Sequence, residues 1–442
     1  MSWRRLELAA LCAYALGFYL VVIRKSLRLS HDYSGRLYGL RAGSLAGHLN
    51  DLSDAQWRNF RGNLPVLTIV MGAFLMLANM LRYCYSLKGR GASLLFSRYK
   101  YCVGLIWSFN LAVLILNRVY EGYSFSLFGQ QLAFLDNHRV VLRMISFGCD
   151  YCWSLRSSQF DHKERALIGD KYTLLTYLCY LTYAPLYIAG PIVSYNAFAA
   201  QLDAPQKNYS VAQISWYGVR WILSFLLMEA MTHFFHYNAF VVSRLWQQLS
   251  PFEIFIISYG VLNFMWLKFF LIWRYFRFWS LVGGVETPEN MPRYLYIPLG
   301  GAQRKLLSIW VVFTFVAVWH DLEWKLISWA WLTCLFFVPE ILVKSLSNKF
   351  QPRSALGLFI HRELSAIAGA VTISCLMVAN LVGYVVGPSG IKLLMSRMLG
   401  KDALPVLAFI FISFYVGVKV IPLLITFFLT LQNKGDSLSH SW

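Results

Sequence analysis

Residues 306–319 read LLSIWVVFTFVAVW, apolar apart from Ser308 and Thr314, and run directly into His320 and Asp321. A second apolar stretch opens near Leu326. About 20 mostly apolar residues at 1.5 Å rise cross the hydrocarbon of a bilayer. Stretches of this kind make the fold all-α and membrane-embedded. An ionisable side chain near bilayer depth is costly and normally faces a protein interior or a wet cavity. Histidine also has the side-chain pKa closest to neutral, which suits proton transfer. His320 is therefore a candidate functional residue on its chemistry. The plainer reading is a histidine snorkelling at a helix end beside Asp321.

The rest of the chain repeats the apolar pattern. Apolar residues make up 58% of the 442 and charged residues 14%, with a mean hydropathy of +0.51. A soluble chain carries about 25% charged residues. With soft edges, the candidate spans are residues 6–22, 64–81, 101–116, 172–195, 214–234, 252–273, 306–319, 326–343, 366–386 and 404–429. They predict a multi-pass transmembrane helical bundle of about ten spans, to within two, in one polytopic domain, 1–442. The first span, followed by Arg24-Lys25, reads as a retained anchor rather than a cleaved signal.

The formal charge of +19 fits juxtamembrane Lys and Arg facing anionic lipid, or attraction of an anionic substrate such as a CoA ester. Nucleic acid is disfavoured, because the basic residues are scattered among the spans. Eight cysteines are present. Cys149-Asp150-Tyr151-Cys152 has redox or metal spacing, yet no second CxxC accompanies it, and no disulfide framework is indicated. The loop at 197–211 carries Asn208-Tyr209-Ser210, a glycosylation acceptor pattern that suits a lumenal face.

Three segments stand apart from plain spans. Residues 132–157 are apolar but carry Asp136, His138, Arg139, Arg143, Asp150 and Arg156, which predicts an interfacial or re-entrant helix. Tyr187-Ile188-Ala189-Gly190-Pro191 breaks a helix and frees backbone groups, either to line a cavity or as a simple kink. Arg293-Tyr294-Leu295-Tyr296-Ile297-Pro298-Leu299-Gly300-Gly301 is either an ordinary turn or a seat for a phosphate or the pantetheine arm of CoA. In the second reading Arg277, Arg293, Arg304 and Lys305 supply the charge.

Weaker signals remain. His233 and His236 share a helix face but lack further ligands for a metal. Glu229 reads as a helix-pairing carboxylate, with Arg220 or His233 as partner. Asp150 and Asn263 read as polar bundle contacts. No GxSxG elbow, Walker loop or HExxH occurs, which removes support for a serine hydrolase, a P-loop pump and a zincin.

In order, 187–198 (YIAGPIVSYNAF), 293–301 (RYLYIPLGG) and 318–321 (VWHD) resemble the membrane-bound O-acyltransferase (MBOAT) family, across residues 124–430. Glu289 to Arg293 and the Trp273/Tyr275/Phe276 region are most similar to its Gup-type, glycerol-uptake-protein-like branch, which is related to the hedgehog acyltransferases. The resemblance implies a helical bundle around a substrate tunnel in the endoplasmic reticulum membrane, with acyl-CoA as co-substrate and no other cofactor or metal. Membrane lipids surround it, and the acceptor is a lipid or lipid-anchored protein. It makes His320 the general base. It places Arg293, Tyr296, Pro298, Gly300, Gly301, Trp319, Asp321, Gly190 and Pro191 about the substrates. For this branch it implies acyl transfer to a lipid-anchor hydroxyl during remodelling of the glycosylphosphatidylinositol anchor.

One departure accompanies the resemblance. In the family a polar stretch with a Trp-His pair and a second catalytic Asn or Asp precedes the YIPLGG element. Here Pro292-Arg293 joins directly to Tyr294, and no role transfers onto Glu286, Glu289 or Asn290. The departure implies a shortened splice form with impaired activity, a mispredicted gene model, or an inactive relative with a regulatory role. A polyol transporter is the rival class, although paired broken helices in two related halves are not visible.

Overall fold

The computed structural model describes residues 3–45, 47–84, 102–119, 124–127, 130–133, 138–154, 172–188, 190–191, 193–203, 205–287, 304–320, 323–349 and 354–439. Its helices, in chain order, begin with α1 (Trp3–Asp32), α2 (Ala55–Cys84), α3 (Cys102–Val119), α4 (His138–Ser154) and α5 (Leu174–Thr182). There follow α6 (Ala184–Tyr187), α7 (Tyr195–Asp203), α8 (Val211–Phe234), α9 (Tyr237–Val242) and α10 (Pro251–Val282). The last are α11 (Lys305–His320), α12 (Trp324–Lys349), α13 (Ala355–Leu381), α14 (Gly387–Met398) and α15 (Leu404–Ser439). Two short antiparallel hairpins, β1 (Leu40–Ala42) with β2 (Leu49–Asp51) and β3 (Ser124–Leu127) with β4 (Gln130–Ala133), complete the description.

Seven of the described helices are long and apolar enough to cross a membrane. The expected ten differ for physical reasons. Val103–Leu116 and Lys305–Trp319 are apolar but shorter. The stretch 172–195 is not a continuous span: it divides into α5, α6 and an irregular segment before α7, because Pro185 and Pro191 remove N–H donors and Gly190 admits a close backbone approach.

Contacts gather the chain into two compact units. The first comprises Met1–Asp54, Met231–Phe264 and Glu323–Trp442. Within it, Phe18 of α1 packs its ring 5.7 Å from both Tyr259 and Phe409. The β1–β2 hairpin is pinned by buried polar groups. Asp51 accepts hydrogen bonds from Ser53 and from the Ala239 amide. The His233 Nε2 accepts from the Ser44 amide at 3.2 Å, and His236 Nε2 lies 3.4 Å from the Leu49 carbonyl. Gly43 must be glycine, since a Cβ there would sit 2.4 Å from the His48 carbonyl oxygen and 2.6 Å from the His233 ring. The two histidines thus hold the hairpin, and no metal-binding group of three or more His, Cys, Asp or Glu occurs among the described residues.

An ion cluster ties three long helices of this unit together. Lys419 Nζ of α15 lies 2.7 Å from Glu7 of α1 and 2.9 Å from Glu363 of α13. Arg362 Nη2 donates to the same two carboxylates at 2.9 Å, and the Tyr415 hydroxyl donates to Glu363. These residues border an open cleft of about 600 Å³. At the end of α13 the chain passes through a π-helical turn, Val382–Val386, with Gly383 against Trp329.

The second unit comprises Ala55–Ala230 and Met265–Leu322. Glu229 on α8 is held bidentate by Arg61 on α2, at 2.6 and 2.9 Å. The expected partners are engaged elsewhere: Arg220 stacks on Tyr217, and His233 holds Ser44. Removing one member of a pair with this little solvent contact strands the other. We expect E229A to destabilise the protein by about 3 kcal/mol and R61A/E229A to cost less, as read by thermal unfolding in detergent. Equal losses in the two variants would remove the pair from the stability of α2 and α8.

A pH dependence follows from Asp51. Burial pushes its carboxyl above the usual range, against the opposing hydrogen bonds from Ser53 and Ala239 and the nearby His236. A carboxyl with a raised folded pKa holds its proton more tightly when folded. Its stabilising contribution is complete below the unfolded value of 3.8 and is lost as pH rises through the higher folded value. The unfolding temperature should therefore carry a downward slope with rising pH in this window that D51N lacks; parallel slopes would contradict the assignment.

Candidate active site

Helix α4 organises the second unit through two faces. Along one, Val141, Ile145 and Cys149 recur at fourfold spacing and are buried with Leu114 of α3. Phe315 and Trp319 of α11 pack against this cluster, with Phe315 also edge-on to Trp107 at 5.2 Å. Trp319 directly precedes His320, the last residue of α11. The apolar face of α4 thereby fixes the helix that ends in the histidine.

The other face carries Arg143, Ser146 and Asp150, all buried. Arg143 Nη1 donates to the carbonyls of Tyr180 and Leu181 at 2.8 and 2.7 Å. The reason lies in the sequence: Pro185 has no N–H to return to the Leu181 carbonyl four residues earlier. Past the break, Ser146 Oγ accepts from the Tyr195 amide at 2.9 Å and Asp150 Oδ2 from the Asn196 amide at 3.0 Å. Ser194 Oγ accepts from the Ala197 amide. The first amides of α7, which no helical carbonyl can serve, are thus satisfied. The Tyr180 hydroxyl donates to the Val193 carbonyl and Tyr172 to Asn196 Oδ1, both at 2.7 Å.

Gly190 is forced by packing: a Cβ would lie 2.2 Å from the Pro185 carbonyl oxygen and 2.7 Å from Leu186 Cα. Gly190 and Pro191 are half-buried and shape the break. The segment leading to the third motif is also anchored. The Glu286 amide donates to Gln201 Oε1 and its carbonyl accepts from Gln201 Nε2. Its carboxylate accepts from Asn208 at 2.6 Å, and the Gln206 amide donates to the Gly284 carbonyl. Glu286 is therefore a structural residue of this loop.

The structure brings Trp319, Gly190 and Pro191 into one unit through α4. Arg293, Tyr296, Pro298, Gly300, Gly301 and Asp321 lie outside the described residues, as do Glu289, Asn290 and the side chain of His320. The Cys149-to-Cys152 spacing does not make a dithiol: Cys149 is a free thiol, while Cys152 is disulfide-bonded to a partner outside the described side chains. The sequence reading also passed over Lys268, 3% exposed in the apolar run of α10. A lone lysine inside such a run was the available signal.

The sequence profile of the MBOAT, membrane-bound O-acyltransferase family matches residues 112–293 and 291–379, more than half of the chain in two pieces. The chain is 29% identical to membrane-bound O-acyltransferase gup1 of Schizosaccharomyces pombe, over 86% of this chain and 81% of that protein. It is 31% identical to membrane-bound O-acyltransferase GUP1 of Millerozyma farinosa, over 69% of each. Protein-cysteine N-palmitoyltransferase HHAT of Mus musculus is more distant, at 26% over 54% of each chain. The alignment with gup1 runs over 481 positions, whereas 86% of 442 residues is about 380. About 100 of its positions therefore have no residue of this chain opposite them.

Two measurements test the scaffold. R143A removes two charge-assisted hydrogen bonds, each worth about 1.5–3 kcal/mol. Amide exchange across 181–197 should accelerate by one to two orders of magnitude, while that of α2 stays unchanged; an unaltered exchange pattern would refute the role of Arg143. Burial, reinforced by Asp150, pushes the Cys149 thiol up to about 12. A maleimide at pH 7 should therefore label the exposed Cys179 and leave Cys149 unmodified until the protein unfolds.

Proposed function

Because the chain belongs to the membrane-bound O-acyltransferase family, we propose that it moves a long-chain acyl group from acyl-CoA to a hydroxyl of a lipid or lipid anchor, with His320 as general base. The observation that carries this reading is the double grip of α4. One face holds the YIAGP break, and the other holds Trp319 and the helix that ends in His320. Two of the three elements that carry the family resemblance are thus braced by one helix, as a site requiring sub-ångström alignment needs.

In the proposed reaction the acceptor oxygen attacks the thioester carbonyl while the imidazole takes its proton. The carbon–sulfur bond then breaks, and the imidazolium returns the proton to the departing thiolate. The products are an ester and free CoA. General-base assistance of this kind contributes about 10²–10⁴ in rate, and alignment with exclusion of water supplies the rest. The loop with Arg293, Tyr296, Pro298, Gly300 and Gly301 would seat the CoA arm, and Asp321 would orient the base. The endoplasmic reticulum is the proposed compartment, and the acceptor is a lysolipid of the glycosylphosphatidylinositol type.

A second reading is favoured by one observation: the family match ends at residue 293 and restarts at 291, at the junction of Pro292-Arg293 with Tyr294. We place the missing family stretch there, so that this form keeps the fold and loses much of the transfer activity. Amplification of the transcript across the codons for Arg293 and Tyr294 should then yield a longer product.

The activity test uses the full chain in nanodiscs with palmitoyl-CoA and lysophospholipid acceptors, following CoA release and ester formation. Acceptor-dependent release that falls by at least about 10² in H320A supports catalysis by this form. Release that is equal in H320A removes His320 from the mechanism. No release until a family-type insert is restored between Arg293 and Tyr294 supports the second reading.

A further inference from the structure

Helix α7 is gripped at two points of its length. Its first amides, at Tyr195 and Asn196, are taken by Ser146 and Asp150 of α4, beside the YIAGP break. One and a half turns later Gln201 reaches out to the segment that follows α10. The Glu286 amide donates to Gln201 Oε1 at 2.6 Å, and Gln201 Nε2 donates to the Glu286 carbonyl at 3.0 Å. Gln201 Nε2 also donates to the Ala197 carbonyl at 2.9 Å, one turn back on its own helix. A carboxamide carries a donor and an acceptor side by side. It therefore takes both polar groups of one residue, as a hydrogen-bonded residue of a neighbouring antiparallel strand would. The Ala197 bond holds the side chain in the orientation that does so.

The segment it grips is fixed from several other sides. Gly284 has a φ of 78°, which glycine adopts without strain. The Gln206 amide donates to its carbonyl at 3.0 Å. Ser280 Oγ donates to the Val285 carbonyl at 2.8 Å, and the Val285 side chain is buried in one cluster with Phe198 and Ala199 of α7. Asn208 Nδ2 donates to the Glu286 carboxylate at 2.6 Å. Val285 and Glu286 are thus set on α7 by apolar packing and by paired hydrogen bonds together. Arg293 follows seven residues after Glu286. At no more than about 3.6 Å per residue, it lies within about 25 Å of the pinned backbone.

We propose that Gln201 is a positioning residue for the acyl donor. By holding the backbone of Glu286 it fixes the root of the 293–301 loop and lowers the ordering cost when that loop takes acyl-CoA. The inference rests on the reading of that loop as the seat of the CoA arm. It adds that donor affinity depends on a residue of α7, whereas acceptor affinity does not, because the YIAGP break is held by α4 through contacts that Gln201 does not make.

The test is equilibrium binding of radiolabelled palmitoyl-CoA to the full chain in nanodiscs, with empty nanodiscs subtracted. Lysophospholipid binding is measured in parallel. The arms are wild type, Q201M, Q201E and a control in the first unit, Q247A. Q201M keeps the length of the side chain and removes both hydrogen bonds to Glu286; Q201E keeps an acceptor and removes the donor. We expect palmitoyl-CoA to bind about tenfold more weakly to Q201M, with Q201E between it and wild type and Q247A matching wild type. Lysophospholipid binding should be equal in all four. A purely structural role would lower the unfolding temperature without separating donor from acceptor. Should neither Gln201 variant fold, amide exchange of the wild type gives the reading: palmitoyl-CoA should slow exchange at Glu286 and leave Ser44 of the first unit unchanged. Equal palmitoyl-CoA binding by wild type and Q201M overturns the role of Gln201 and leaves the CoA reading standing, as does unslowed exchange at Glu286 in the presence of bound palmitoyl-CoA. An equal loss of donor and acceptor binding in Q201M overturns it in favour of a structural role. A wild type that does not bind palmitoyl-CoA overturns the CoA reading itself, and this inference with it.

Discussion

A helix interrupted in a buried place leaves carbonyls on one side of the break and amides on the other, and no water reaches them there. Each such buried orphan costs about 1–3 kcal/mol or more. The YIAGP break is tolerated because α4 presents the complementary groups at the right places. Arg143 serves the carbonyl end of α5, and Asp150 with Ser146 serves the amide end of α7. The signs match the partial charges of the two helix ends, negative at the C-terminus and positive at the N-terminus. One interaction system thus accounts for buried charges on α4, for the shape of the break and for the orientation of the face that receives α11.

The dependence runs onward to function. The general base proposed at the end of α11 depends for its placement on the packing of Trp319 and Phe315 against α4. The break, in turn, is held rigid by the opposite face of the same helix. The loop before Tyr294 is anchored separately, through the reciprocal pairing of Gln201 with Glu286. These bracing contacts lie outside the junction of Arg293 with Tyr294, where the proposed second reading places a missing family stretch.

Much of this was legible in the sequence, and the remainder was hidden for definite reasons. The long spans were visible because twenty apolar residues have few alternative fates. The segment 172–195 read as one more span because its composition is equally apolar; the sequence marked a break at Gly190-Pro191, and the structure adds the earlier interruption at Pro185. The charges on 132–157 signalled a helix not fully facing lipid, but nothing local told that Arg143 would seek the Tyr180 and Leu181 carbonyls. Glu229 was recognisable as a pairing carboxylate. Its partner Arg61 lies 168 positions away, beyond any local pattern.

The ion cluster of the first unit has a consequence for how the chain is made. Glu7 enters the membrane with α1, yet Arg362 arrives 355 positions later and Lys419 later still. At about 5–20 residues per second of synthesis, the carboxylate waits roughly 20–70 s for its cations. During that interval α1 carries an acid without these cations and belongs to a unit whose α13 and α15 do not yet exist. Closure of this unit is therefore a late, post-insertion event. A ribosome stalled before α13 would leave a nascent chain with α1 open to quality-control recognition.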